Sequence, residues 1–300
     1  MKQTRAATAS FDGEQVRRFY DDNTRLFLSL GQGTEGTIRR AVWGPGVATR
    51  VEAMAYVDQL VMQRISSLGS ARPPQVPVVV DLGCGVCASL CRIAKHMPIR
   101  GTGVTISPAQ VELARQRIER AGLSASVRSI QADFCQLPVD LPQADLAFGI
   151  ESFVHASSGA AFFRESAQLI RPGGYLIVCD DFLSRAALRA EPPASRWISR
   201  FSKGWRAGNL LAAEEASELA RRAGFSPVET LDLTPYLEIN RPRDYAMGAL
   251  MRCFGWLPIE SSYWSMLYGG HAVQLCLKRG WIKHLLMVWQ RDRGAPARAE

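Results

Sequence analysis

The residues with the clearest chemical meaning follow one short apolar run. Residues 77–90 read PVVVDLGCGVCASL, in which valines lead into Asp81, and Gly83 and Gly85 precede a segment with helical spacing. Glycine accepts a left-handed turn at little cost and leaves room for a ligand beside the peptide plane. The free N–H groups of the helix that follows favour an anionic ligand. The pattern therefore predicts a loop that binds an anionic or nucleotide-like molecule.

Two classes of cofactor use such a loop. A dinucleotide site, read as G-x-G-x-x-A, requires an acidic residue about 20 residues later to hold the ribose. The next strand-like stretch, GTGVTIS, ends at Thr105 and offers no acid. The other interpretation includes Asp81 in a D-x-G-x-G motif, and the missing acid favours it.

The cysteines of this loop suggest a competing chemistry. Cys84, Cys87 and Cys91 form C-x-x-C-x-x-x-C, which is compatible with a metal or redox site. No fourth ligand follows at a useful spacing. The chain has seven cysteines, an odd number mostly within apolar segments, so we expect reduced thiols and no metal site.

A second group of reactive side chains follows the apolar stretch ADLAFGI. Glu151, Ser152 and His155 stand where a parallel strand ends, and open α/β sheets bind ligands at that edge. Glu151 is a candidate general base that His155 would orient. The alternatives are a helix cap or a salt bridge for Glu151 and an ordinary structural role for His155.

Composition limits the scaffold that holds these groups. The chain has 300 residues, 47% of them hydrophobic, and a net charge of +8, which suits one large domain or one domain with a lid. No apolar run is long enough to span a membrane and no signal core is present, so a cytoplasmic protein is expected. The scattered positive charge favours a small anionic substrate over nucleic acid, with ordinary solubility charge as the alternative. A homo-oligomer stays open.

The elements that must position these groups alternate along the chain. Amphipathic helices are expected at 14–30 and 48–68, separated by a glycine loop. Strands and helices then alternate up to a strand at 175–180, which predicts a doubly wound parallel sheet. Later elements are a helix at 210–223, a strand at 227–233, a largely helical segment at 236–280 and a last strand at 281–290.

Five stretches in this order resemble one family: DLGCG, GVTISPAQVELAR, QADF, FGIESFVHAS and LIRPGGYLIV. They are similar to the class I S-adenosylmethionine (SAM) methyltransferases, in the branch of tocopherol, sterol and cyclopropane-type enzymes. Within that branch the chain looks most like bacterial prenyl diphosphate C-methyltransferases. The resemblance implies a Rossmann-like, seven-stranded, mostly parallel sheet with an N-terminal helical lid and a helical insertion before the last strand.

The same resemblance divides the chain and places the cofactor. It implies tails at 1–12 and 291–300, a lid at 13–72, and a SAM-binding core at 73–290 whose segments near 183–207 and 236–280 cover the substrate. Thr105 and Gln110 match the pair that binds the ribose hydroxyls in this branch. One departure is Cys87, which stands where the motif usually has a third glycine. The residues implied for SAM are Asp81, Gly83, Cys84, Gly85, Thr105, Ile106, Gln110, Asp133 and Phe134.

For the acceptor, the resemblance implies methylation of an alkene carbon of geranyl or farnesyl diphosphate. A carbocation would then lose a proton to Glu151, with aromatic rings stabilising it and arginines, with or without Mg²⁺, holding the diphosphate. Asp180 and Asp181 are a possible metal pair, although a solvent-facing pair at a strand end is the expectation. The substrate-binding candidates are Tyr20, Arg39, Arg40, Trp43, Phe153, Tyr236, Arg241, Arg243 and Tyr245.

Three other functions fit parts of this pattern. The first is methylation of O, N or C in another hydrophobic natural product, with Glu151 and His155 as the base. The second is a SAM-binding protein without catalysis, which the Cys87 departure keeps open. The third is a nicotinamide oxidoreductase.

Overall fold

A single seven-stranded sheet organises the chain. The computed structural model describes residues 9–29, 39–69, 76–189, 192–239, 241–254 and 262–294. The strands are β1 (Val78–Leu82), β2 (Arg100–Thr105), β3 (Val127–Gln131), β4 (Ala144–Ile150), β5 (Ile170–Leu183), β6 (Phe225–Asp232) and β7 (Ile282–Arg291). Their order across the sheet is β3-β2-β1-β4-β5-β7-β6.

The sheet is mostly parallel, as the sequence predicts. The first five strands pair in parallel, and β7 runs antiparallel to both β5 and β6. The strand β1 is buried along its whole length, which explains its unbroken apolar run, since a central parallel strand has both faces covered. The prediction of a doubly wound α/β fold is confirmed.

Helices cover the two faces of the sheet and one of its edges. On one face, α2 (Arg50–Gly69), α3 (Ala88–His96) and α4 (Pro108–Arg120) bury apolar residues against β1 and β4. On the other face, α5 (Gly159–Leu169) and α8 (Ala213–Arg222) pack over the same strands. The remaining helices are α1 (Gly13–Ser29), α6 (Arg185–Arg189), α7 (Pro192–Trp205), α9 (Pro242–Phe254) and α10 (Ser262–Lys278).

These remaining helices lie above the carboxyl edge of the sheet. The helix α1 packs on α4, and α10 packs on α7 and α9, so segments far apart in the sequence form one covering layer. Two helical insertions, between β5 and β6 and between β6 and β7, supply most of it. No helix among the described residues is both long and apolar enough to cross a membrane.

Element boundaries differ from the prediction where pairing in the sheet overrides local pattern. The strand expected at 175–180 begins earlier, at Ile170, which pairs with Ala144, so that residues 171–174 also lie inside β5. The register between β4 and β5 shifts there, which accommodates Gly173 at φ 81°. The helix predicted at 210–223 begins at Ala213, and β6 begins at Phe225. Leu30 and residues 70–72 lie outside the described residues.

Candidate active site

One cavity of about 510 Å³ opens at the carboxyl ends of the central strands. We call its two parts the cofactor half and the acceptor half. The cofactor half is formed by the loops after β1, β2 and β3, and includes Asp81, Gly83, Gly85, Thr105, Gln110, Asp133 and Phe134. The acceptor half is formed by the covering layer, and includes Phe201, Trp205, Leu237, Ile239, Met266, Leu267 and Gln274. Glu151 and His155 also line the cavity.

The glycine loop has the backbone that the sequence predicts. Gly83 has φ 100° and Gly85 has φ 52°, values that favour glycine. The amides of Gly83 and Cys84 both donate to the carbonyl of Val104, 2.9 Å away, which fixes the turn against β2. A Cβ at Gly83 would lie 2.3 Å from Cβ of Ser152, so no larger residue fits there. The loop therefore presents open peptide planes to a ligand.

Cys87 takes the conformation that a glycine would supply. It has φ 57° and ψ 28° immediately before α3, so a side chain is tolerated in a left-handed position. Its thiol is fully buried and faces Gly103 of β2, where an added Cβ would lie 2.4 Å from the sulfur. The departure from the motif therefore leaves the turn in place and fills the space between the loop and β2.

The predicted ribose residues also fasten the N-terminal helix. The Thr105 hydroxyl donates to Oε1 of Gln110 at 2.6 Å, and Nε2 of Gln110 donates to the Thr24 hydroxyl on α1 at 3.1 Å. Ser107, which caps α4 by accepting from the Gln110 amide, donates to Asp21 on the same helix. The helix α1 thus closes over the cofactor half through hydrogen bonds to its side chains.

The predicted adenine residues lie at the start of this lid. Asp133 accepts from the Cys135 amide at 2.7 Å, which orients its carboxylate, and Phe134 meets Phe162 edge to face. Gly13 opens α1 directly above, since a Cβ there would lie 3.4 Å from Asp133 and 3.1 Å from Ile106. The three candidates Asp133, Phe134 and Ile106 line the cavity together.

Glu151 occupies a strained position at the end of β4. Its φ is 51°, a left-handed value that costs a residue with a side chain of the order of 1–3 kcal/mol. Its amide donates to the carbonyl of Cys179 at 2.8 Å, and its Oε1 accepts from the backbone amide of Arg40 at 2.8 Å. The strain is compensated by these contacts and directs the carboxylate into the cavity.

His155 pairs with the lid and makes no hydrogen bond to Glu151 within the described ranges. Its Nε2 lies 2.8 Å from the Tyr20 hydroxyl, and its Nδ1 lies 3.3 Å from the Arg206 carbonyl. Since a carbonyl only accepts, Nδ1 donates and Nε2 accepts from Tyr20 in the neutral ring. Burial lowers the pKa of His155 to about 4, so the ring is neutral at pH 7. His155 was expected to orient Glu151, but the group that contacts the Glu151 carboxylate is the backbone amide of Arg40.

The arginines predicted to hold a diphosphate are already paired with carboxylates. Arg39 binds Asp58 in two hydrogen bonds and also reaches the Ser89 hydroxyl at the start of α3. Arg40 binds both oxygens of Asp181, at 2.6 and 2.8 Å. Arg241 donates to Glu238 and to Asp244. All three side chains line the cavity, but their charges are matched by the protein itself.

The expectation of a solvent-facing pair at Asp180 and Asp181 is wrong. Both residues lie within β5 and are at most 2% exposed. Burial and then the charge of Asp181 raise the pKa of Asp180 to about 7. Burial also favours a raised pKa at Asp181, but Arg40 and His284 together outweigh it and lower the pKa of that carboxyl. No group of three or more metal-binding side chains occurs among the residues that the structure describes.

Several aromatic candidates lie away from the cavity. Phe153 is 1% exposed and packs against Phe162 in the core. Trp43 donates to Glu238 at 2.9 Å behind the cavity wall, and the ring of Tyr245, which is 62% exposed, faces Lys278. Tyr236 is 37% exposed and also stands outside the lining. The side chain of Arg243 lies outside the described residues.

Most residues of the acceptor half were not predicted individually. They come from α7, α10 and the stretch after β6, within the two segments that the sequence marks as substrate-covering. Their only signal was apolar spacing within a helix, which also marks ordinary core residues. Tyr20, Arg40 and Arg241 are the predicted substrate residues that line the cavity together with Arg39.

Comparisons with known proteins agree with this geometry. Residues 80–178 match a family model described as a methyltransferase domain. The chain is 30% identical over 218 residues to the O-methyltransferase resE of Aspergillus sclerotiorum, covering 73% of this chain and 78% of that relative.

Solved structures share the fold over nearly the whole chain. The [4+2]-cyclase SpnF superposes with a TM-score of 0.72 and 22% identity, covering 96% of this chain and 100% of that one. The geranyl diphosphate C-methyltransferase of Streptomyces coelicolor superposes with a TM-score of 0.66 and 17% identity, covering 95% and 99%. At these identities the likeness establishes the fold alone.

Proposed function

Because this chain belongs to the class I SAM-dependent methyltransferases, we propose that it methylates a hydrophobic small molecule that carries no phosphate group. The observation that carries this proposal is the charge balance of the acceptor half. Its surface is largely apolar, and Arg39, Arg40 and Arg241 are each bound to a protein carboxylate. A neutral apolar acceptor can bind there without separating any of these ion pairs.

The cofactor half fits SAM. The open peptide planes at Gly83 and Gly85 suit the methionine portion, and the positions of Asp133 and Phe134 suit the adenine. When bound, SAM supplies an electrophilic methyl group. The hydrogen bonds that Thr24 and Asp21 of α1 accept from Gln110 and Ser107 would hold the lid closed and keep water from the reacting centre.

The reaction also needs a group that removes a proton from the acceptor, and the candidates are Glu151 and His155. Methyl transfer forms a bond from the acceptor to the methyl carbon, breaks the bond from that carbon to sulfur, and releases a proton from the acceptor. Glu151 and His155 both line the cavity, and His155 is neutral at pH 7 with its Nε2 lone pair directed at Tyr20. We assign the proton to Glu151, or to His155 through the Tyr20 hydroxyl, which would take the acceptor's proton while passing its own proton to Nε2 of His155.

The test is product analysis with labelled cofactor. Purified protein would be incubated with methyl-labelled SAM and matched sets of prenyl alcohols, sterols and aromatic polyketides, each beside its phosphorylated counterpart where one exists. Label on a neutral member, found by mass spectrometry and unaffected by EDTA, is the expected result. Label confined to diphosphates would overturn the proposal.

Two variants test the assigned base. Glu151→Gln and His155→Gln should each leave SAM affinity unchanged, and loss of the base should lower kcat by about 10²–10⁴-fold. Glu112→Gln is the matched control, because Glu112 is exposed on α4 and pairs only with neighbours on its own helix. If both variants retain full kcat, neither residue removes the proton.

A prenyl diphosphate acceptor, the hypothesis drawn from the sequence, is the second candidate. Arg40 and Arg241 do line the cavity, which favours it. To hold a diphosphate they would have to exchange Asp181, Glu238 and Asp244 for phosphate oxygens, or Mg²⁺ would have to bridge those carboxylates to the ligand. Dependence of turnover on Mg²⁺ together with a diphosphate would select it.

A further inference from the structure

The side-chain carbonyl of Gln274, in the acceptor half, has no hydrogen-bond donor among the described residues. Gln274 lies on α10, and the residues of that helix that line the cavity with it are Met266, Leu267, Gly270, His271, Val273 and Leu277. These positions follow helical spacing and form one stripe along the helix. Except at His271 and Gln274, the stripe is apolar or has no side chain.

The carbonyl oxygen of Gln274 is fully buried and accepts no hydrogen bond from any described residue. A buried carbonyl oxygen without a hydrogen-bond donor is energetically unfavourable, and buried side-chain polar atoms nearly always have a partner. Two neighbouring polar side chains of the lining are engaged, because Glu238 accepts from Trp43 and Arg50 while Asp244 accepts from Arg241. The unused atom of Gln274 therefore stands out against partnered neighbours.

The surroundings explain why none of the described residues supplies a partner to the Gln274 carbonyl. Val273 and Leu277, beside Gln274 on α10, belong to an apolar cluster with Ile198 and Phe201 of α7. A glutamine amide carries a carbonyl and an NH₂ group on one planar end, and a half-turn about its last torsion exchanges them. Either the carbonyl or the NH₂ group can thus be turned toward a ligand in the cavity.

Resting on the proposed function, we infer that Gln274 recognises a hydroxyl group on the hydrophobic acceptor. A hydroxyl both donates and accepts, so it can donate to the Gln274 carbonyl and accept from the NH₂ group. An ether can only accept, and a hydrocarbon does neither. The substrate class is therefore an apolar alcohol or phenol, and Gln274 is a specificity-determining residue.

Such a site discriminates strongly because the analogue without a hydroxyl leaves the buried carbonyl unpaired. Sites built to hydrogen-bond a substrate hydroxyl reject analogues that lack it far better than apolar pockets reject an extra group. From the range of hydrogen-bond energies we expect the hydroxyl compound to bind about 10- to 100-fold more tightly than its methyl ether.

The experiment measures binding by titration calorimetry in the presence of S-adenosylhomocysteine. The probes are three pairs: farnesol and farnesyl methyl ether, cholesterol and cholesteryl methyl ether, and 1-naphthol and 1-methoxynaphthalene. In at least one pair the hydroxyl compound should bind the unaltered protein at least about 10-fold more tightly. In Gln274→Leu this ratio should fall to about one, whereas Gln274→Glu, which keeps an acceptor, should retain a preference.

The matched control is Gln63→Leu, the same substitution at an exposed position of α2, which should keep the full ratio. Unchanged affinity for S-adenosylhomocysteine shows that each variant is folded. The inference is overturned if no pair shows a preference for the hydroxyl compound, or if Gln274→Leu keeps the preference. Methyl transfer is recorded separately: a Gln274-dependent preference without any labelled product would refute the proposed function and leave the recognition site standing.

Discussion

The cofactor half and the acceptor half of the cavity are built in different ways. In the cofactor half, Asp81, Gly83 and Gly85 lie within five consecutive residues, and the other candidates follow the next two strands in chain order. The acceptor half combines α1, α7, α9, α10 and the stretch after β6, and its lining residues Tyr20 and Leu277 are more than 250 positions apart in the chain. The first is determined by backbone geometry in short loops, and the second by which side chains find partners after folding.

If the cofactor half depends on backbone geometry, its most sensitive position is Gly83. Gly83→Ala should abolish measurable SAM binding and lower the free energy of unfolding by more than about 3 kcal/mol, because alanine is strained at φ 100° and its Cβ would overlap Ser152. Isothermal calorimetry and urea unfolding would measure the two effects.

A substitution at Gly46 separates the effect of backbone strain from the effect of steric overlap. It has φ 80°, but a Cβ there would meet nothing within 4 Å, so Gly46→Ala tests backbone strain without overlap. It should cost only about 1–2 kcal/mol and leave SAM binding intact. Equal effects of the two substitutions would show that close packing at Gly83 is unimportant.

In the acceptor half, the expected effect of removing an arginine is on stability. Arg40→Met leaves the buried carboxylate of Asp181 with His284 as its one charged partner in the part of the chain that the structure describes, and breaking a buried pair in this way costs about 3–5 kcal/mol. Chemical unfolding would measure the loss. Arg18→Met, which removes an exposed pair with Glu14, should change stability by less than about 0.5 kcal/mol.

A diphosphate site would give the opposite pattern. If Arg40 bound a substrate phosphate, Arg40→Met would raise KM for a diphosphate and leave the unfolding free energy nearly unchanged. That outcome would contradict the view that the arginines of the acceptor half serve the protein's own ion pairs, since Arg40 would then be available to bind a substrate phosphate.

An effect smaller than the loss of Arg40 is expected from pH at His155, which links the lid to the core. Burial lowers its pKa to about 4, below the 6.5 of an exposed histidine, so the unfolded state binds more protons between these values. The contribution of neutral His155 to stability is present above pH 6.5 and is lost as the pH falls toward 4, by up to about 3 kcal/mol.

The raised pKa of Asp180, about 7, acts in the opposite sense over much of this range, because the folded state then holds the extra proton. Comparing the protein with His155→Gln isolates the histidine, since Asp180 is present in both. The difference in unfolding free energy should shrink or reverse between pH 7.5 and pH 4.5. His96→Gln, the same substitution at an exposed position on α3, is the matched control.

The sequence alone was sufficient to predict the cofactor half, where the structure depends on consecutive residues. The run of valines before Asp81 required a buried strand, the two glycines required a left-handed turn, and Thr105 in place of an acid argued against a dinucleotide. Even the substitution of Cys87 for glycine is accommodated by the same turn. The structure places every predicted cofactor residue along one cavity.

Tertiary structure alone decided how charged and aromatic residues are used. From the sequence, Arg40 and Asp181 are separate candidates for phosphate and metal, and only the fold brings them within 2.6 Å to neutralise each other. Phe153 is two residues from Glu151, yet it packs into the core while the carboxylate faces the cavity. Gln274 has no motif at all. A local pattern determines backbone turns because these depend on neighbouring residues, whereas pairing and exposure depend on segments that meet only when the chain is folded.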